Sequence, residues 1–575
     1  MLRSQRSTWN LRRPRLGALA VCLGAVGLPA TVLVGCGATE RHGAQTDKNP
    51  DQGQGATGGT DSQPGVSGGG GSSVPTSVNL HGEPKHYRFV RLTNSQWAAS
   101  AQQVLALEQP PLELAEAFEK PIVGVTDFSN NEHLLDVDAR RWSQLQAAAE
   151  ALAEQVTSSE AALAAVYPGT DASGFIETVG RRAYSRPLTA EEVSALKGLF
   201  DFGATLAGEQ SNFAKGAAQV IRGLLQSPLF LYRSELGETG APLSGYEAAA
   251  KLSLWLRGAT PSDALLDRAP TLTTAEAIEA EASHMLEDGA ARAVMREFHG
   301  EYLRLSRYDQ VIKAGVPTYE ESLNAELKES SALFFDQLFQ QGGGLREMLT
   351  STRGFMGPRL AALYDLDAPK SGFIEADLGE RRAGYFSQIP YLTLHSINET
   401  PDSIHRGLSL GVDGLCLRLP PPLSDLIPLP PLERGLTNRD RVTAATSACG
   451  GECHNEISNP LGFAFEHFDG MGQYRETEGP DELPIDSSGS FRFDDGRREF
   501  ADNVELMEAI ADSRQAHLCY AKKISSYALQ RDIVAADLPW LDELAGVSQR
   551  DGSLKRLMLE LARSEVFRTH VGAQP

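Results

Sequence analysis

The sequence predicts a mainly α protein: a multi-domain helical body with one small irregular module that contains short β segments. Three observations predict it. Helix-start signals recur, because Thr189 with Glu192, Ser244 with Glu247 and Thr273 with Glu276 each place a capping hydroxyl three residues before a carboxylate that can reach back. Apolar residues then follow at helical spacing, as in Leu252, Trp255 and Leu256, and again in Leu333, Phe334 and Leu338. From Cys449 to about Phe500 the chain is instead rich in Gly and Asp, and helical patterning returns from Val504 to Phe567. The 575 residues are 41% apolar and 22% charged, which suits a globular chain of several domains and excludes a collagen-like or wholly disordered one. No repeat of 20–50 residues is evident, so no solenoid is expected.

Residues 1–36 read as a lipoprotein signal. Arg3, Arg6, Arg12, Arg13 and Arg15 precede an apolar run from Leu16 to Val34, the layout of an export signal. The run ends in Leu33-Val34-Gly35-Cys36, which resembles a bacterial lipobox and makes Cys36 the expected lipid anchor. The alternative is an uncleaved membrane anchor with Cys36 incidental. Acyl (palmitate) chains would hold the protein to the membrane, since each buried CH₂ adds about 0.8 kcal/mol. Gly37, rather than Asp, follows the cysteine, so the outer membrane is the expected location, with its periplasmic or surface face left open.

Residues 37–86 read as a flexible Gly/Ser-rich tether, with eleven glycines between Gly37 and Leu80 and no aromatic residue. A tether of this kind reaches roughly 35–40 Å. Its histidines, His42, His81 and His86, are scattered and read as solvated. Folded sequence is expected from Tyr87. No later stretch offers about 18 uninterrupted apolar residues, so no further membrane span is expected.

Charge excludes one class of partner. Lys and Arg number 53 against 75 Asp and Glu, a net charge of −22. Residues 1–36 carry five arginines and no acid, so the chain without them carries −27. Such a chain repels phosphate backbones, and no nucleic-acid partner is expected.

Six prolines between Pro420 and Pro431 make an extended strap that cannot be helix. Beyond it lies the stretch that carries chemistry, SACGGECHNEISNPLGFAFEHFDGMGQYR at 447–475. Cys449, Cys453 and His454 form C-x₃-C-H, one residue longer than the C-x₂-C-H attachment site of c-type haem. On an ideal helix the longer spacing puts His454 about 140° round from Cys449, and Gly450 and Gly451 supply the freedom to absorb that misfit. Three readings stay open here. Cys449 and Cys453 can form thioethers to haem c with His454 as axial iron ligand. The two cysteines can instead close a disulfide turn. A zinc or other metal site is the third, one ligand short of the usual four. Met471, Met507, Met558, His467 and His517 are the candidates for a sixth iron ligand. Glu466, Asp469 and Arg475 read as loop-holding residues rather than acid–base catalysts, and Phe463, Phe465 and Phe468 as packing. Asp486, Asp494 and Asp495 lack the regular spacing of a calcium loop. Of the six cysteines, Cys416 and Cys519 remain; in an oxidising compartment they most simply pair with each other.

The chain resembles a multi-domain bacterial family, found in planctomycetes and myxobacteria, of consecutive domains of unknown function. Arg91-Leu92-Thr93-Asn94 with Trp97 resembles the opening of domain 1587, and Arg181-Arg182-Ala183-Tyr184-Ser185-Arg186-Pro187-Leu188-Thr189 that of 1595. Leu225-Gln226-Ser227-Pro228-Leu229-Phe230-Leu231-Tyr232-Arg233 resembles 1592. His405-Arg406-Gly407, the strap and GFAFEHFDGMGQYR resemble 1588, which usually carries C-x₂-C-H; Ser526-Tyr527-Ala528-Leu529-Gln530-Arg531 resembles 1585, which usually has Gly where Gln530 stands. The resemblance implies segments at 87–165, 166–236, 237–368, 369–480 and 481–575, and a cytochrome c-like module within the fourth. The expected function is electron transfer with an extracytoplasmic redox or surface protein partner. The alternative is a non-catalytic binding or scaffold lipoprotein whose cysteines form disulfides. A hydrolase or oxidoreductase acting on polymer has no nucleophile elbow, zinc-protease helix or P-loop behind it.

Overall fold

The computed structural model describes residues 77–82, 87–124, 128–397, 400–419, 429, 431–447 and 453–570. The signal with Cys36, most of the tether, most of the strap, and Cys449 lie outside the described residues. The chain divides between Gly70 and Gly71, and every described residue belongs to the second part.

Local capping chemistry places the helices. Thr189 and Ser244 each accept a hydrogen bond from the backbone N–H three residues on, while Glu192 and Glu247 return it, so both expected capping boxes form. Thr93 and Gln96 build another ahead of helix Asn94–Leu105. The third expected box shifts by one residue. Thr274, not Thr273, is the cap, with its side chain taking the Ala277 N–H. Glu276 then falls one position short of the reciprocal bond and sits in the first turn, where the helix dipole favours an acid.

Two hydrophobic cores gather these helices. The first is built by helices Asn94–Leu105, Ala139–Thr157, Ala172–Tyr184, Ala190–Ala204 and Asn212–Leu225, around Trp97, Leu152, Phe175 and Ile221. The second takes in Phe128 and then runs from Ala248 to Phe567, common to the segments expected at 237–368, 369–480 and 481–575. Those three segments therefore share one interior. Helices Gly245–Arg257, Gly289–Tyr302 and Leu323–Gln340 pack into it together with Ser403–Leu415, Arg514–Leu529 and Leu554–Arg563.

The strands are short and antiparallel, paired two by two. Phe89–Arg91 pairs with Tyr232–Ser234, which joins the ends of the first helical body through Val90 opposite Arg233. Two further pairs, Thr477–Glu478 with Leu483–Pro484 and Gly489–Phe493 with Gly496–Phe500, lie in the stretch expected to hold short β segments. No helix among the described residues is long and apolar enough to cross a membrane.

Cys416 and Cys519 form the expected disulfide, with Cα atoms 5.3 Å apart and a sequence separation of 103. It ties the end of helix Ser403–Leu415 to the middle of helix Arg514–Leu529. The tether expectation needs one correction beside it. Residues 77–82 belong to the body: Val78 bridges Leu417, the Asn79 N–H donates to the Cys416 carbonyl, and Lys522 Nζ donates to the Asn79 carbonyl at contact distance. Val78 and Leu80 are apolar and pack on the second core, which is why the chain docks before Tyr87.

His299 lies at the centre of that core with no exposure, stacked 4.5 Å from Phe335. Its Nδ1–H donates to the Met295 carbonyl (2.8 Å), so Nε2 accepts from the Tyr520 hydroxyl (3.1 Å). Burial pulls its pKa from 6.5 down to about 4. The unfolded chain therefore binds the extra proton first, and stability falls as pH drops from 6.5 towards 4. The loss attributable to this residue reaches about 3 kcal/mol at the low end. In His299→Gln, urea midpoints measured at pH 7 and pH 4.5 should lie closer together than in the parent. Equal pH slopes in the two proteins would refute this.

Candidate functional site

The region around Cys453 is assembled from three short helical pieces. Helix Asn438–Ser447 leads in, and Cys453 opens a π-helical turn, His454–Ser458, that runs into helix Asn459–Phe463. π-turns of this kind are rare and concentrate at functional sites. Helix Ser403–Leu415 crosses the pair at backbone contact. A Cβ on Gly407 would sit 1.9 Å from the Ser458 carbonyl oxygen, and one on Gly462 would sit 1.8 Å from that of Ser403. Two glycines facing opposite backbones let the helices touch.

Arg406, one residue before Gly407, is wholly buried and holds the loop that follows. Its guanidinium donates to the carbonyls of Phe468 (2.7 Å), Asp469 (2.6 Å), Phe465 (3.2 Å) and Leu392 (3.5 Å). Burial pulls it down to about 10. Glu466 accepts from Asn438 Nδ2 at 3.0 and 3.1 Å and from the Ser403 hydroxyl, and its burial raises its carboxyl pKa. Asp469 Oδ1 takes the N–H groups of Met471 and Gln473, closing a turn. Arg475 bonds Glu478 (3.2 Å) and the Glu466 carbonyl (3.1 Å). Glu466, Asp469 and Arg475 thus hold a loop, as their pattern predicts, and Phe465 and Phe468 pack fully inside the core.

His454 differs from these inward-facing groups. It is half-buried, and its Nδ1 lies 3.1 Å from the Ser458 hydroxyl, one π-turn on. Ser458 Oγ lies 3.5 Å from Asn459 Oδ1, and Asn459 Nδ2 donates to Thr446 Oγ1 at 2.9 Å. Partial burial holds the imidazole pKa below its usual value. Among the described residues, Nε2 has no hydrogen-bond partner. Cys453, immediately before it, is half-buried.

The fit to haem turns on this donor set. His454 supplies one nitrogen ligand whose other ring nitrogen is already anchored, the arrangement metal-binding histidines adopt. The candidates for the opposite side are mostly spoken for. Met471, Met507 and Met558 are 2%, 0% and 1% exposed in the core. Both nitrogens of His517 are bonded, to Ser548 Oγ (2.9 Å) and the Ala511 carbonyl (3.0 Å). His467 donates through Nδ1 to the Arg475 carbonyl (2.8 Å), stacks on Tyr474 and keeps Nε2 open. Among the described residues, His454 and, of that group of five, His467 thus keep a ring nitrogen with no hydrogen-bond partner outside the core.

A cleft of about 1140 Å³ adjoins the same helix on its Asn455 and Asn459 side. Arg439, Asp440, Arg497 and Glu499 line it together with Ala444, Pro460, Phe463 and Phe500, so its wall is part charged and part apolar. Asp486 and Asp495, considered above for calcium, face Arg439 (3.3 Å) and Arg498 (2.6 Å). No group of three or more His, Cys, Asp or Glu among the described residues is placed to hold a metal ion.

Sequence reasoning missed three features. Arg406 acts on backbone carbonyls, which leave no trace in the residue letters. Thr446 and Asn459 join His454 through side chains on separate helices. Buried Asp402 pairs with the exposed His405 ring (2.6 Å) and raises the imidazole pKa, and their i, i+3 spacing could have signalled it.

Comparison with known families now places the chain. Four models match, each described as a protein of unknown function: DUF1595 over residues 171–235, DUF1592 over 243–366, DUF1588 over 382–478 and DUF1585 over 496–567. The chain belongs to the multi-domain family built from these domains. The Cys453–His454 region, Arg406 and the loop it holds all lie within the DUF1588 match, which carries the short name PSCyt3. No curated protein and no solved structure matches the chain.

Proposed function

We propose that this is an exported, lipid-anchored protein of the outer membrane, carried on Cys36, whose 438–478 region attaches a c-type haem. On this reading it exchanges single electrons with an extracytoplasmic protein partner. Cys449 and Cys453 would hold the haem through thioethers and His454 Nε2 would ligate its iron. When bound, the haem supplies a one-electron couple; the chain supplies the covalent hold, the oriented imidazole and the loop locked by Arg406. One observation carries the reading: directly after Cys453 stands a half-buried histidine with Nδ1 anchored and, among the described residues, no hydrogen-bond partner on Nε2. The Cys416–Cys519 bridge supports an oxidising compartment, the setting that export would provide. The full chain, exported in a host with a c-haem maturation system, should show a Soret band that survives denaturation and precipitation. It should lose that band in His454→Ala. A colourless full-length product would sink the proposal.

A second reading, a non-catalytic surface-binding or scaffold lipoprotein, draws on the charged groups Arg439, Asp440, Arg497 and Glu499 in the cleft beside Asn459, which suit a polar partner. It expects no Soret band, and a peptide map with a Cys449–Cys453 bridge beside Cys416–Cys519.

A further inference from the structure

We infer that a three-residue hydrogen-bond relay, Thr446–Asn459–Ser458, fixes the tautomer of His454, protonated on Nδ1, so that Nε2 always presents its lone pair outwards. Ser458, Asn459 and Thr446 are then positioning residues for a nitrogen ligand. The identity of the metal rests on the haem reading above, whereas the relay itself stands without it.

The relay starts at a group with no choice. The Val442 carbonyl can only accept, and the Thr446 hydroxyl donates to it at 2.8 Å, as serine and threonine do to the carbonyl four residues back in a helix. With its hydrogen committed, Thr446 Oγ1 offers a lone pair to its other neighbour. Asn459 must therefore turn its NH₂ towards Thr446 (2.9 Å) and its carbonyl oxygen towards Ser458. That oxygen, too, can only accept, so the Ser458 hydroxyl points its hydrogen at Asn459 Oδ1 (3.5 Å). Its remaining lone pair faces His454, and Nδ1 must bring the proton (3.1 Å).

Each orientation follows from the one before. Reversing the order would turn the Thr446 hydrogen away from the Val442 carbonyl and leave that bond unmade. The residues that set the direction are buried: Thr446 is 3% exposed, Asn459 3% and Ser458 0%, so water does not compete for their bonds. The relay also crosses between elements. It ties helix Asn438–Ser447, which precedes Cys449, to the π-turn that carries His454. The ring is thereby fixed in tautomer and orientation before any metal arrives, the role outer-shell partners play at metal-bound histidines.

The test separates the relay from the haem. Full-length protein produced without haem maturation and labelled with ¹⁵N-histidine would be read by solid-state ¹⁵N spectroscopy, with His454 assigned by difference against His454→Gln. The expected spectrum shows a protonated Nδ1 and a bare Nε2. In Ser458→Ala, and separately in Thr446→Val, the populations should move towards the Nε2–H form that imidazole prefers in water. Ser458→Thr, which restores the acceptor, should return the parent spectrum. A parent already in the Nε2–H form, or a tautomer unmoved in both relay variants, overturns the inference. The haem-loaded protein gives a second readout: the ferrous iron–histidine stretch in resonance Raman should shift in Ser458→Ala and recover in Ser458→Thr. If the protein takes up no haem but the tautomer behaves as expected, the haem reading falls and the relay stands.

Discussion

Replacing both Cys416 and Cys519 by serine should cost about 4–5 kcal/mol, the value the chain-entropy model gives for a loop of roughly 100 residues. The bridge spans 103 residues of sequence, and almost the whole 382–478 match lies within or directly before that loop. Opening it frees the strap, the Cys453 helix and the Gly489–Phe500 hairpin at once. It also removes a pin between helix Ser403–Leu415 and helix Arg514–Leu529, which pack against each other in the second core. Chemical denaturation of the double variant against the parent under non-reducing conditions measures the loss. A difference below about 1 kcal/mol would show that the unbridged chain is already held by its packing.

Arg406→Met should be nearly as damaging, at about 4 kcal/mol, because a methionine fills the space but donates nothing. Four backbone carbonyls would lose a donor inside the protein; those of Phe465 and Asp469 keep the N–H groups of Phe468 and Gly472, and each buried acceptor left unsatisfied costs about 1–3 kcal/mol before relaxation. Water entering the loop would recover part of that sum. Arg406→Lys is the informative partner, since one ammonium cannot span acceptors contributed by Leu392, Phe465, Phe468 and Asp469. Both variants should have a lowered urea midpoint, and the loop 464–475 should lose hydrogen-exchange protection first. If lysine restored the parent midpoint, a single charge rather than the planar fork would be holding the loop.

Much of the fold was legible because it is written in side chains that act locally. Capping hydroxyls and carboxylates three apart gave the helix starts at Thr189 and Ser244, and apolar spacing gave the interiors. Thr273 misled because Thr274 beside it can cap equally well, and the choice belongs to packing further along. Val78 and Leu80 are two apolar residues in a Gly-rich run, too few to announce a docked segment until Cys416 and Leu417 stand beside them. The shared interior of the last three segments was illegible for another reason. Family-like stretches suggest separate modules, while cores form wherever apolar faces meet. Cys416 and Cys519 could be paired in advance because the other cysteines had competing uses. At the candidate site, Cys453 and His454 were conspicuous by adjacency, whereas their supports were not. The π-turn that brings Ser458 under His454 has no residue code, and Gly407 and Gly462 matter only through backbone oxygens on the facing helix.

The docking of Asn79 onto Cys416 has a mechanical corollary. A pull arriving from the N-terminal side enters the body at the short bridge between Val78 and Leu417, not at the first helical bundle. Directly behind that bridge stands a covalent sulfur–sulfur link to the helix that crosses the second core. Load applied at Val78 and Asn79 is thus passed to a pair of helices joined by a disulfide. The first bundle, joined later in the chain, is spared the strain.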